Sequence, residues 1–125
     1  ELQDKTGGFN AFIPLVYQRE NNFLKVEKFL SANEILKTYA ISRIFLDNIP
    51  HIKAYWATST INLALIAQEF GADDLDGTIE KESIQSAAGA KSANGISLQE
   101  FVDLIKNSGF IPVERDSLYN EIKIW

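Results

Sequence analysis

Between Gly71 and Thr78 the chain places Asp73, Asp74 and Asp76 within four residues. Carboxylates this close repel one another unless a cation or a ligand answers them, so the run is the first candidate for chemistry. Calcium binding fails as an explanation. Asp74-x-Asp76-Gly77 overlaps the opening of an EF-hand loop, but the first ligand position falls on Ala72 and the last on Ser83. A hydrolytic triad fails as well, since the chain has one histidine and no cysteine. Neither G-x-G-x-x-G nor G-x-x-x-x-G-K-[ST] occurs, which removes a phosphate loop. His51 follows Pro50 at the start of a predicted strand, where a structural role is expected. The acids themselves keep two readings at this stage: a solvated turn capping a helix, or a strand end opening onto a ligand.

The elements that must position these acids alternate in type. Gly7-Gly8 precedes an apolar run from Phe9 to Tyr17, read as a strand buried on both faces and ended near Pro14. Gln18 to Ser31 reads as a loop carrying some helix. Asn33 is the expected N-cap of a helix through Asp47, stopped by Asn48 and Pro50. His51 to Ala57 reads as a second strand, and Thr58-Ser59-Thr60 caps a helix from Ile61 to Phe70 that Gly71 ends. Ala72 to Leu75 is a short third strand, and Thr78 caps a helix from Ile79 to about Ala88, stopped by Gly89. Ser97 and Glu100 form a capping box for a helix to Ser108, with Gly109 as its stop. An extended piece, Phe110 to Glu114, leads into a short tail. Alternating strand and helix predicts an α/β fold with parallel strands and outer helices.

Ligands in parallel α/β folds bind at the carboxyl ends of strands. That rule selects Leu15 to Gln18, which includes Tyr17, then Tyr55 to Thr58, and Asp74 to Thr78. Alternation puts Ile52, Ala54 and Trp56 on one apolar face and turns Lys53 and Tyr55 the other way. Asp74 points with them if Leu75 faces the helices. A lysine beside a tyrosine suits an anionic aromatic ligand, while the competing reading is that Lys53 pairs with an acidic neighbour. Gly77 permits close backbone approach, and the amides following Thr78 would make an anion site.

Composition bounds the rest. At 125 residues and 46% apolar content, the chain suits one core, so residues 1–125 are expected to form a single domain or part of one. Seventeen acidic residues against twelve basic ones, with no basic cluster, argue against nucleic acid as a partner. No window approaches the ~18 apolar residues of a membrane span, and the absence of cysteine points to a reducing cytoplasm. Methionine is also absent, even at position 1, so a processed, trimmed or proteolysed chain is expected.

Seven segments in order carry a resemblance. They are Phe12-Ile13-Pro14-Leu15, Ala40-Ile41-Ser42-Arg43, Leu46-Asp47-Asn48-Ile49-Pro50, Ile52-Lys53-Ala54-Tyr55-Trp56, Gly71 to Thr78, Ala88-Gly89-Ala90 and Pro112 to Tyr119. Together they resemble the C-terminal part of the aminofutalosine synthase family, nearly end to end. The resemblance implies a radical S-adenosylmethionine enzyme of the futalosine route to menaquinone. Such an enzyme adds a 5′-deoxyadenosyl radical to 3-[(1-carboxyvinyl)oxy]benzoate and yields aminodeoxyfutalosine. The sister family, cyclic dehypoxanthine futalosine synthase, shares Pro14, Asp47 to Pro50 and Trp56. It typically carries Gln and Ser where this chain has Lys53 and Tyr55, and Gly where it has Asp76, so these positions favour the synthase.

The resemblance makes Lys53 the expected partner of a substrate carboxylate and Tyr55 the expected packing surface for its ring. Asp74, Asp76, Thr78 and Tyr17 complete the expected substrate-binding set. The implied fold is the C-terminal part of a (β/α)₈ TIM-type barrel, which takes ~250 residues when whole. The implied cofactors are a 4Fe-4S cluster, held by a CxxxCxxC motif, and S-adenosylmethionine. That motif is missing here, so this chain alone is expected to bind neither group and to be inactive. The segment Phe110 to Tyr119 follows the last outer helix, so Arg115 and Asp116 are expected to be structural and to lie away from the chemistry. Uncovered apolar surface and open sheet edges predict self-association as a homodimer. The remaining reading is a stand-alone α/β module that binds a carboxylate ligand without catalysis.

Overall fold

The computed structural model describes residues 1–18, 21, 23–79 and 95–125. In chain order the elements are α1 (Leu2–Thr6), β1 (Ala11–Phe12), α2 (Ala32–Phe45), β2 (His51–Ile52) and α3 (Ile61–Ala67). A 3₁₀ turn (Gln68–Phe70) extends α3, and α4 (Leu98–Asn107), β3 (Val113–Arg115) and β4 (Glu121–Ile124) follow. Of the predicted helix from Ile79 to about Ala88, Ile79 is described and sits at φ 42°, outside helical geometry, while residues 80–89, including the stop at Gly89, lie outside the described residues.

β1 and β2 pair in parallel, with Ala11 opposite His51 and Phe12 opposite Ile52. A parallel bridge joins Lys53 to Asp74. The Asp73 amide donates to the Ile52 carbonyl at 3.0 Å, and the Ala54 amide to the Asp74 carbonyl at 2.7 Å. Three extended segments therefore lie side by side in chain order, with α2 and α3 in the connections, as the alternating pattern predicts for an α/β fold.

The helix boundaries follow from local chemistry. α2 starts at Ser31 rather than at Asn33, because Ser31 and Glu34 exchange the two hydrogen bonds of a capping box. Thr60 caps α3 and Ser97 caps α4, each side chain accepting from the amide three residues on. Gly71 ends the 3₁₀ turn at φ 94°, a left-handed conformation that glycine adopts without penalty.

Alternation along β2 and its continuation sets the core. Ile52, Ala54 and Trp56 are all but inaccessible, packed with Leu36 and Tyr39 of α2, Ala64 and Leu65 of α3, and Phe101 of α4. Burying Ile52 completely contributes about 1.5–3 kcal/mol. The Trp56 indole also donates to the Gly77 carbonyl at 2.9 Å, tying the second and third segments together beyond their paired residues.

Two expectations are corrected here. The apolar run from Phe9 to Tyr17 is not buried on both faces: only Ala11–Phe12 pair, and Phe9, Ile13, Leu15 and Tyr17 are exposed. Continuous apolar character therefore marks a segment whose sides are uncovered in this chain. The expected short tail is instead an antiparallel hairpin of β3 and β4, with Val113 opposite Ile124 and an irregularity between Glu114 and Arg115. Asp116 builds its turn by accepting the amides of Leu118 and Asn120 at 2.8 and 2.9 Å.

Candidate functional site

The side chain of Lys53 is 13% exposed and that of Asp74 10%. Charges this far from water require partners, and the acidic run supplies them. The Lys53 ammonium lies 2.5 Å from Asp76 Oδ1 and 3.5 Å from Asp74 Oδ2. Asp74 Oδ1 accepts the Asp76 amide at 3.0 Å, which closes the backbone into an Asx turn. Asp76 itself sits at φ 68°, a left-handed position uncommon for a residue with a side chain.

The terminal hairpin enters the same cluster. Arg115 donates to Asp74 Oδ2 at 2.7 Å, and the Tyr119 hydroxyl donates to the same oxygen at 2.7 Å. The Arg115 guanidinium also lies over the Tyr119 ring, 4.4 Å from its centre. Tyr119 is a second non-glycine residue held left-handed, at φ 66°. The segment expected to lie away from the chemistry therefore contacts Asp74, one of the expected site residues. It does reach His51, the first residue of β2, whose ring stacks on Tyr119 at 3.9 Å and 7°. From there Asp74 is near, because each strand residue advances only about 3.3 Å, within reach of an arginine side chain.

Asp73 belongs to a neighbouring cluster. Its carboxylate accepts from Arg43 at 2.5 Å and the Ile52 amide at 2.7 Å, and it meets His51 Nδ1 at 2.6 Å. Arg43 also donates to the carbonyls of Gly71 at 2.9 Å and Pro50 at 3.2 Å. One side chain of α2 thus fixes the starts of the second and third extended segments. This agrees with the structural role expected of His51.

Burial alone would push the Asp74 carboxyl up. The Asp76 amide, the Tyr119 hydroxyl, Lys53 and Arg115 outweigh it and hold Asp74 below the usual carboxylate range. Burial also opposes the charge on Arg115, but Asp74 overcomes it and raises the guanidinium further. The Tyr119 hydroxyl is pushed up by burial and by its hydrogen bond to Asp74, so it remains a donor. Lys53 and Arg115 thus balance Asp74 and Asp76, which makes the cluster electrically neutral.

Of the expected site residues, Lys53, Asp74 and Asp76 come together. Asp74, Asp76 and Thr78 border an open cleft of about 470 Å³ together with His51, Arg115 and Tyr119, whereas Lys53 and Tyr55 do not line it. Tyr55 is half-buried two residues beyond Lys53, and its carbonyl accepts from Thr58. The Thr78 carbonyl accepts the Ile96 amide at 3.1 Å. Apart from Ile79, the helix that Thr78 was expected to cap lies outside the described residues. Tyr17 is exposed in the loop after β1, where its hydroxyl donates to the Leu24 carbonyl at 3.2 Å. Sequence reasoning missed Arg115 and Tyr119 as members of the cluster, although both fall inside the Pro112-to-Tyr119 segment that carried part of the resemblance.

The chain has no cysteine, so it offers no thiolate to a 4Fe-4S cluster. Among the described residues, no group of three or more His, Cys, Asp or Glu side chains could hold a metal ion. The implied cluster does not fit residues of this chain, and none of the chemistry assigned to them passes through it. Among the described residues, no helix is long and apolar enough to cross a membrane.

These features define a parallel α/β segment whose charged cluster sits where the second and third extended segments meet. The chain belongs to the family described as the CofH/MqnC C-terminal region, whose profile matches residues 6–124. It is 44% identical over 99% of its length to the aminodeoxyfutalosine synthase of Thermus thermophilus, covering 34% of that protein. It is 40% identical over 99% of its length to the cyclic dehypoxanthine futalosine synthase of Streptomyces coelicolor, covering 31% of it. A third relative, at 38% over 98% of the chain and covering 36% of that protein, is the 5-amino-6-(D-ribitylamino)uracil–L-tyrosine 4-hydroxyphenyl transferase of Methanococcoides burtonii. The chain spans about a third of the length of these curated relatives.

Proposed function

We propose that the chain is the C-terminal part of a radical S-adenosylmethionine enzyme of the aminodeoxyfutalosine synthase type, acting in a reducing cytoplasm. Its extended segments are the last strands of a (β/α)₈ barrel, and 3-[(1-carboxyvinyl)oxy]benzoate is the substrate. The 4Fe-4S cluster and S-adenosylmethionine are bound by the parent protein outside this chain, which is inactive alone. The observation that carries the reading is a nearly buried Lys53 held in place by Asp76 of the strand-end acidic run. Overall identity separates the candidate activities poorly, since the cyclase relative at 40% falls between two synthases at 44% and 37%. The choice of the synthase therefore rests on Lys53, Tyr55 and Asp76, which favour it.

In this reading Lys53 binds a substrate carboxylate with the N–H groups that Asp76 does not engage, and Tyr55 packs on the aromatic ring. Asp76 fixes the ammonium, Asp74 holds the turn that carries Asp76, and Thr78 and Tyr17 border the substrate. Replacing Lys53 by alanine in the full-length enzyme should weaken substrate binding severalfold and leave the iron–sulfur absorbance intact. Unchanged steady-state kinetics would remove the assignment. The second reading, a cyclic dehypoxanthine futalosine synthase, is favoured by the 40% relative and would show as formation of that product instead.

A further inference from the structure

We infer that Arg115 and Tyr119 are positioning residues that keep Lys53 available to an anionic substrate by occupying Asp74. The inference rests on the reading of Lys53 given above. Asp74 Oδ2 is the atom in contention: it lies 3.5 Å from the Lys53 ammonium, and both Arg115 and Tyr119 bind it at 2.7 Å. A carboxylate 10% exposed must be answered by charge. Without the guanidinium, the cation left to answer Asp74 among the described residues is Lys53, already engaged by Asp76 at 2.5 Å. Captured by two aspartates, the ammonium would have a single N–H free inside a group of net charge −1, which repels an anion. With Arg115 present, Asp74 is satisfied from the hairpin and Lys53 keeps its looser contact.

The hairpin is built to deliver these two side chains. In the β3–β4 register, Glu114 faces Lys123 while Arg115 faces Glu121, so Ile122 is an extra residue in β4. Such a bulge re-aims the side chains beside it. Tyr119 is held in a left-handed conformation by the Asp116 turn, and its amide donates to the Asp116 carbonyl at 3.2 Å. Backbone strain of this kind persists where surrounding structure over-determines it. Here it aims the phenol at Asp74, with His51 stacked behind the ring.

The test uses the full-length enzyme with 3-[(1-carboxyvinyl)oxy]benzoate and S-adenosylmethionine, following KM, kcat and thermal unfolding. R115Q should raise KM roughly tenfold with kcat within about twofold, the signature of lost ground-state binding. R115K, which keeps a cation on Asp74, should stay within about twofold of wild type in KM. The decisive variant is R115Q/D74N: removing the carboxylate that captures Lys53 should recover most of the lost affinity. A merely structural Arg115 would leave the double variant no better than R115Q, and that result overturns the inference. So does a folded R115Q with wild-type KM. If R115Q does not fold, Y119F carries the test, with a smaller rise in KM that D74N reverses; a wild-type KM or an unreversed rise overturns it. Failure of the wild type to consume the substrate, or a Lys53→Ala enzyme with unchanged KM, removes the functional reading itself. A normal wild type and a defective Lys53→Ala enzyme beside an unreversed R115Q remove only the positioning role.

Discussion

Asp76 holds a backbone position at φ 68° that glycine would occupy at lower cost, and its carboxylate is committed to Lys53 at 2.5 Å. Asp76→Gly should therefore leave stability within about 1 kcal/mol of wild type, because relief of strain offsets the lost ion pair. The same change should raise KM in the full-length enzyme, since the ammonium loses its anchor. Urea unfolding and steady-state kinetics read the two effects separately. Asp74 gives a pH dependence of definite sign. Its folded-state pKa lies below the ordinary 3.8, so it stabilises the fold above that value and the contribution fades as pH falls below it. Thermal unfolding between about pH 5 and pH 2 should show a falling midpoint that Asp74→Asn flattens. The meeting of Lys53 with the acidic run was legible from strand alternation alone. Arg115 and Tyr119 were not, because they reach Asp74 across 41 and 45 residues of chain and no local period encodes that contact.

Caps and stops were the most legible features among the elements, since each is settled within about four residues of chain. Thr60, Gly71 and Gly109 act as the sequence predicts, and Ser97 caps α4 by accepting the Glu100 amide without the reciprocal bond of the expected capping box. The start of α2 moved from Asn33 to Ser31 because Glu34 completes a reciprocal pair only from there. Lys28 and the Ser31 amide hold the Glu34 carboxyl at about 2, well below its ordinary value, so this pair stays charged in mild acid. Ser31→Ala should cost about 1 kcal/mol, read by chemical denaturation. Gly71 answers two demands at once. A Cβ there would lie 2.7 Å from the Cβ of Arg43, and the backbone is at φ 94°. Gly71→Ala should therefore destabilise by about 1–3 kcal/mol and loosen the Arg43 contacts that fix both neighbouring segments. The β3–β4 hairpin was missed because its turn, Asp116-Ser117-Leu118-Tyr119, has no glycine and rests on Asp116 side-chain bonds and a left-handed tyrosine.

At the scale of the whole molecule, Ile41, Ile44 and Phe45 on α2 and Phe23 and Phe29 in the loop before it stand exposed, as do Phe9, Ile13, Leu15 and Tyr17 around β1. Residues 1–125 alone are expected to self-associate, and a monomer in sedimentation at micromolar concentration would contradict this. Tyr39 reports on the core beneath α2. Burial pushes its hydroxyl up to about 12 from the ordinary 10.0, so its stabilising share is complete below pH 10 and lost as pH rises through 12. Tyrosinate absorbance should follow unfolding across that window. The order of extended segments and helices was readable from alternation, whereas the identity of the reaction rests on three side chains against a family background shared by several activities. The most direct measurement offers the full-length, anaerobically reduced enzyme S-adenosylmethionine with 3-[(1-carboxyvinyl)oxy]benzoate and follows products by mass spectrometry. Formation of aminodeoxyfutalosine is expected. An untouched benzoate substrate, with turnover instead of L-tyrosine and 5-amino-6-(D-ribitylamino)uracil or formation of cyclic dehypoxanthine futalosine from its precursor, would contradict the account.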